Sequence, residues 1–301
     1  MKNYLLSLTG TAGFPIACAL SVLGVPASTF GGDASVAPAP SSSCGYLPVN
    51  GLNMYYEIHG HGKPLVLIHG GGSTIESNFG RILPELAKTR QVIAVELQAH
   101  GHTKDIDRAL SFEQDADDVA ALLKQLHVQK ADVMGFSNGA TTALQMGIRH
   151  GDIVNKLVVA SGNYRRDGMI PGFFEGFKNA SLEKSMPPSL KDAYLKANPD
   201  PQGLQAMFDR DVARMTGFKD ISDADIKSIQ AQTLVLDGDK DVVLPEHALA
   251  LVHTLPQARL AILPGGHGEY LGDIMSPDKN SKIPSLVVAL IEEFLDESEI
   301  K

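Results

Sequence analysis

Cysteine is nearly absent from this sequence: Cys18 and Cys44 are the only two in 301 residues. Cys18 lies in an N-terminal stretch expected to be cut away, so the mature chain keeps one thiol and no internal disulfide. A fold without such staples depends on its core, and a chain of this length can supply one. Positive charge is short as well, with Lys+Arg 26 against Asp+Glu 35 and a net charge of −9. Nucleic-acid binding relies on a clustered basic surface, so that balance excludes it as the general function. No repeat of 20–50 residues is present, which excludes solenoids and propellers. Gly 29 and Pro 17 follow no period, and 44% of the residues are apolar. Collagen-like, coiled-coil and disordered readings therefore fail. A compact acidic enzyme remains.

A clean membrane-spanning run is also missing. The apolar stretch Tyr4–Val25 is interrupted by Gly10, Gly13, Pro15 and Gly24, and no stable span is expected after processing. Lys2, that stretch and the small-residue sites Val25-Pro26-Ala27 and Ser35-Val36-Ala37 read as a signal peptide over residues 1–27, with export to the periplasm or medium. A lipoprotein is the lesser reading, because Pro15 stands where a lipoprotein box carries Leu. Residues 28–44, rich in Ala, Pro and Ser, read as a flexible linker.

From residue 45 onward strand-like and helix-like segments alternate. Met54–Ile58 and Pro64–Ile68 are short apolar strands separated by Gly60-His61-Gly62, a hairpin-type signal. Gln91–Glu96, Ala131–Phe136, Leu157–Ala160, Thr233–Leu236 and Leu260–Leu263 are further strands. Between them, Ile75–Lys88 is limited by Pro84, while Ser111–Leu126 has capping-box spacing between Ser111 and Gln114 and one apolar face. A helix follows at Asn138–His150, and another begins near Pro284, with Leu286, Leu290 and Phe294 beside Val287, Ile291 and Leu295. This alternation predicts an α/β fold, a mostly parallel sheet with helices on both faces. Its core spans residues 45–161 and 231–301. Residues 162–230 interrupt the pattern with helical pieces separated by Pro171, Pro187-Pro188 and Pro199–Pro201, and hold five of the eleven Phe and four of the nine Met. They read as a helical cap after the sixth strand, its Phe and Met mostly packing inside it and some facing substrate.

The chemistry centres on Gly135-Phe136-Ser137-Asn138-Gly139. A serine hydroxyl attacks a carbonyl only if a base takes its proton and its Oγ stands clear of the backbone. A sharp strand-to-helix turn provides that clearance, and its crowding requires small residues two places either side. Here a strand enters and a helix leaves. The strand at Thr233–Leu236 ends in Asp237-Gly238-Asp239-Lys240-Asp241, and that at Leu260–Leu263 ends in Pro264-Gly265-Gly266-His267-Gly268. A parallel sheet delivers both loops to the same carboxyl edge as Ser137. His267 can then serve as general base, with Asp237, Asp239 or Asp241 fixing its tautomer.

With these segments quoted, the chain resembles the α/β-hydrolase superfamily, in its cap-bearing serine esterase, lactonase and C–C hydrolase branch. The resemblance runs from about Tyr46 to the C-terminal helix, through Leu65-Val66-Leu67-Ile68-His69-Gly70-Gly71-Gly72, Gly135–Gly139, Gly238–Asp241 with Pro245, and Gly266-His267. It implies Ser137 as nucleophile, His267 as base and Asp241 as the acid. It also implies an oxyanion hole made by the backbone N–H groups of Gly71 and Asn138, with Gly72 the lesser candidate. One stretch departs: Glu96-Leu97-Gln98-Ala99-His100-Gly101-His102-Thr103 stands where relatives carry Asp-x-Arg-Gly-His-Gly-x-Ser.

The activity implied is hydrolysis of a small-molecule carboxylic ester or lactone through an acyl-enzyme, with no cofactor. A C–C bond hydrolase or a cofactor-free haloperoxidase-like enzyme would use the same triad, and a non-catalytic ligand receptor on this fold would lack one member of it. Asp in place of Ser137 would instead have signalled dehalogenase or epoxide-hydrolase chemistry. The pairs His59/His61 and His100/His102 have a spacing open to metal ligation, but no cysteine or carboxylate cluster completes a four-ligand set, so no metal is expected. His69 is expected to shape the loop beside the oxyanion hole.

Overall fold

The structure is a computed structural model and describes residues 42–298. The expected signal peptide over 1–27, and the linker up to residue 41, lie outside the described residues. Eight strands form one sheet: β1 Ser42–Val49, β2 Leu52–His59, β3 Lys63–Ile68, β4 Arg90–Val95, β5 Ala131–Phe136, β6 Val154–Ala160, β7 Gln232–Gly238 and β8 Ala258–Leu263. Their order is β1-β2-β4-β3-β5-β6-β7-β8. β1 pairs antiparallel with β2 and β2 antiparallel with β4, while β4, β3, β5, β6, β7 and β8 run parallel. The helices are α1 Ile75–Phe79, α2 Leu83–Leu86, α3 Phe112–Gln125, α4 Asn138–Arg149, α5 Phe173–Phe177, α6 Leu182–Ser185, α7 Pro188–Ala197, α8 Pro201–Thr216, α9 Asp223–Ser228, α10 Pro245–Thr254 and α11 Ile283–Asp296.

Side chains alternate across a strand, so a sheet buried on both faces reads as a continuous apolar run that splits between two cores. Val66, Ile68, Ile93, Val95, Val133, Leu157 and Val159 face one way, against Leu122, Leu144 and Leu251 of α3, α4 and α10. Leu65, Leu67, Val92, Met134, Val158 and Leu234 face the other, against Phe79, Leu86, Val287 and Ile291. Each such side chain, wholly removed from water, contributes roughly 1.5–3 kcal/mol.

Three sequence expectations change. The segments around Gly60-His61-Gly62 do not pair as a hairpin, because β4 lies between them: Tyr56–His59 pairs with Val92–Val95, and β3 pairs with β4 on its other side. The chain crosses the end of β4 so closely that a Cβ at Gly60 would run into the carbonyl oxygens of Ala87 and Arg90. The hairpin instead joins β1 to β2 through Asn50-Gly51, both with positive φ (48° and 87°), an Asn-Gly turn of the kind that suits strand twist. Residues 42–44 of the expected linker therefore belong to the sheet. On α11, Leu286 does not join the apolar face but stands 60% exposed.

Between β6 and β7 the chain is helical, from α5 to α9. Its apolar residues form two small clusters. Met169, Phe174, Met215 and Phe218 pack with Phe112 and Val243, and Met186, Tyr194, Leu204 and Met207 pack with Ala99. Packing accounts for these four Met and most of the Phe. The methyl of Met186 also reaches over the loop after β3, 3.6 Å from where a Cβ on Gly72 would stand.

Candidate active site

β5 delivers Ser137 to the carboxyl edge of the sheet, and α4 leaves directly after it. Ser137 adopts φ 55° and ψ −120°, a strained conformation for a residue with a side chain, held here by its neighbours. A Cβ at Gly135 would strike the carbonyl of Gly139, and one at Gly139 would strike the carbonyl of Ile68. The two glycines thus meet the crowding of the turn that lifts the Ser137 hydroxyl.

The loops after β7 and β8 close on that hydroxyl. Ser137 Oγ lies 3.0 Å from His267 Nε2, and His267 Nδ1 lies 2.7 Å from Asp241 Oδ1. Asp241 is buried and His267 half-buried, with the Phe136 ring packed against the imidazole at 4.8 Å between centroids. Burial works to raise the Asp241 carboxyl. Hydrogen bonds from His267, Ser161 Oγ (2.6 Å) and the Val243 N–H (3.1 Å) outweigh it and hold the group below the usual carboxylate range. Of the three aspartates considered, Asp241 alone meets His267. Asp239 accepts the Gly265 N–H at 2.8 Å and ties the two loops together. Asp237 is buried, accepts its neighbour Gly238 N–H at 2.8 Å, and leaves its Oδ2 without a donor. Burial and the adjacent Asp241 charge push it up to about 8.

The loop after β3 faces the serine from the other side, Gly70 lying against the Ser137 Cβ. Its peptide groups are fixed one by one. The Gly70 N–H donates to Asn78 Oδ1 at 2.7 Å, and the Gly70 carbonyl accepts from His69 Nδ1 at 2.7 Å. His69 Nε2 accepts the Leu97 N–H at 3.0 Å, so this ring is neutral with its proton on Nδ1. Full burial and then the nearby His100 push its pKa down to about 3. The Gly72 N–H donates to Asp211 Oδ2 at 2.7 Å. Among the described residues, the N–H groups of Gly71 and Asn138 have no acceptor, as two donors reserved for an incoming oxygen would.

The other histidine pairs have partners of their own. His59 meets Glu57 at 2.7 Å and His102 meets Glu96 at 2.9 Å. His100 turns instead into the site, toward Asp211. Several neighbours of the site were missed in the sequence: Ser161, Tyr270, Asn78, Asp273 and Asp211. Ser161 follows a strand end at the same sheet edge as Ser137, a placement that marks it as a candidate. It donates to Asp241 and pairs with the buried Tyr270 hydroxyl at 2.7 Å. Asn78 joins the Gly70 loop to Asp273, beyond His267, at 2.5 Å. Asp211 carries no local signal, since nothing in an amphipathic helix tells which acid turns inward.

Comparison with known proteins places this arrangement. Residues 63–272 match the family model described as alpha/beta hydrolase fold. The chain belongs to that family. This α/β hydrolase is 28% identical over 267 residues to the human serine hydrolase BPHL, covering 80% of this chain and 82% of that protein. It is 27% identical over 224 residues to 2-hydroxymuconate semialdehyde hydrolase of Pseudomonas sp. (strain CF600), covering 67% and 79%. The solved enol-lactonase from Burkholderia xenovorans LB400 superposes with a TM-score of 0.63 at 20% identity over 84% of this α/β hydrolase and all of that chain, a likeness of fold.

Proposed function

We propose that this α/β hydrolase cleaves a carboxylic ester or lactone through an acyl-enzyme on Ser137. The observation that carries the reading is the unbroken hydrogen-bond sequence Ser137 Oγ, His267, Asp241, facing two unpaired backbone donors. His267 Nε2 takes the hydroxyl proton as Oγ attacks the carbonyl carbon, and Asp241 steadies the imidazolium on Nδ1. Charge grows on the carbonyl oxygen, where the Gly71 and Asn138 N–H groups receive it. Loss of one such donor costs roughly 2.7–4 kcal/mol of barrier. His267 then gives its proton to the leaving oxygen. Water, deprotonated by the same ring, releases the acyl group and restores the serine.

A second reading has one observation in its favour. A relative is named 2-hydroxymuconate semialdehyde hydrolase, for a compound whose name contains no ester, and the reading it favours is hydrolysis of a carbon–carbon bond. The same triad serves that reaction. A panel of esters, lactones and dienoate semialdehydes scored by kcat/KM separates the two. In the first reading short-chain esters or lactones lead the panel, and Ser137→Ala lowers their turnover by at least about 10³-fold with the fold intact. Ester turnover by Ser137→Ala near the wild-type rate would sink the assignment.

A further inference from the structure

The residue that fixes the Gly72 peptide comes from the helical segment between β6 and β7, not from the α/β core. Asp211 stands on α8, is 9% exposed, and has both carboxylate oxygens engaged. Its Oδ2 accepts the Gly72 N–H at 2.7 Å and faces His100 Nε2 at 3.0 Å, while its Oδ1 accepts from Arg214 at 2.5 Å. Arg214, three residues on in the same helix, is itself held by the core. It donates to the buried Asp115 of α3 at 2.7 Å and lies over the Phe112 ring, 4.8 Å from its centre. Burial acts against charge on both His100 and Asp211, yet their mutual attraction prevails, raising the imidazole and lowering the carboxyl. Asp211 is therefore an anion whose position is set by Arg214 and His100, and whose free direction is spent on one backbone N–H.

That N–H adjoins the proposed oxyanion donor. A peptide unit is planar and trans, so fixing its oxygen fixes the opposed N–H. His69 holds the Gly70 carbonyl, which turns the Gly71 N–H away from His69. Asp211 holds the next peptide most closely, through the Gly72 N–H at 2.7 Å. His100 Nε2 lies farther from that N–H at 3.2 Å, and Ser73 Oγ donates to the Gly71 carbonyl at 3.2 Å. Gly71, with no side chain to restrict it, lies between two clamped planes, one held from the core and one whose shortest bond comes from the helical segment. A donor held before the charge develops needs no reorganisation at the moment of reaction.

We propose that Asp211 is a positioning residue, its carboxylate completing the hold on the Gly72 peptide so that the Gly71 N–H is kept aimed into the oxyanion hole while α8 is docked. The proposal rests on Ser137 being the nucleophile, and its test separates the two. The variants are Asp211→Leu, which removes the acceptor, and Asp211→Asn, which loses the charge but keeps an amide oxygen for the Gly72 N–H. The readouts are the rate constant for Ser137 labelling by a fluorophosphonate, kcat and KM on an ester turned over by wild type, and amide hydrogen exchange at Gly72.

Asp211→Leu should lower kcat and the labelling rate about 10- to 100-fold, part of the loss seen on deleting an oxyanion donor, with KM within about threefold. It should also speed Gly72 exchange at least about tenfold, since that amide loses its shorter, charged acceptor and keeps only His100 Nε2 at 3.2 Å. Asp211→Asn should retain most of the labelling rate. A merely structural anchor facing Arg214 would make the two variants fall together, and that result overturns the proposal. So does Gly72 exchange that is unchanged in Asp211→Leu, or unprotected in wild type should the Leu variant fail to fold. A wild type that the probe leaves unlabelled rejects the Ser137 reading instead, while the Gly72 exchange still judges Asp211.

Discussion

Asp237, Asp239 and Asp241 stand within five residues at one strand end, and spacing alone could not choose among them. The choice depends on where each carboxylate points once β7 and β8 are side by side. Asp241 reaches His267, Asp239 reaches the Gly265 N–H, and Asp237 stays inside, beside Asp241. A proton on Asp237 turns its unpaired Oδ2 from a lone acceptor into a donor toward the Asp241 carboxylate. Its pKa rises from an ordinary carboxyl value near 4 to about 8 on folding, so the folded chain holds this proton more tightly than the unfolded one. The stability this contributes is complete below pH ~4 and is lost as pH rises through 8. Asp237→Asn keeps a neutral donor in place at every pH. Denaturant unfolding at pH 5 and pH 9 should show the variant losing less stability over that range than wild type, by at least about 1 kcal/mol. Equal losses in the two proteins would show that Asp237 does not hold the proton.

Elements were the most readable level, and their errors share one cause. The strands of the parallel sheet are apolar on both faces, and β5, β6 and β7 stand out as runs that need no partner to be recognised. Pairing is different, because it depends on chain far away in sequence. Gly60 and Gly62 look like turn residues but serve a close crossing of β4, and the hairpin lies at Asn50-Gly51, whose flanking strand β1 was hidden in an Ala, Pro and Ser-rich stretch. Caps show the same division. Ser111 accepts the Gln114 N–H at 3.1 Å, as the spacing requires, but the Gln114 side chain turns to Asp118 at 2.9 Å rather than closing the box. At the end of α11 the cap comes from another element. Lys156 of β6 donates to the carbonyls of Phe294 and Glu297, each at 2.7 Å, satisfying groups that a helix C-terminus leaves open. Lys156→Met removes both bonds while keeping the aliphatic stem. Unfolding free energy should fall by roughly 2–3 kcal/mol with kcat unchanged at temperatures where the variant is folded. An unaltered Tm would mean that the helix end finds other partners.

At the scale of the whole molecule, the candidate site exists only because one sheet edge collects four loops. Residues 70–72, 137–138, 241 and 267 are separated by up to 197 positions in the chain by their numbering, yet each follows a strand of the same parallel set. That rule made Ser137 and His267 legible in the sequence, and the two backbone donors followed from the family resemblance. The support around them was not legible, since Asn78, Ser161 and Asp211 act through contacts that only the packed sheet and its helical insertion create. The two levels meet at Ser137, whose proposed reactivity requires all the loops together. The most direct test is peptide-mapped intact mass after brief exposure to a fluorophosphonate. The wild-type protein should carry one adduct, on Ser137, and His267→Ala should label at least about 10³-fold more slowly. An adduct on another residue, or equal labelling of Ser137 in His267→Ala, would contradict the account.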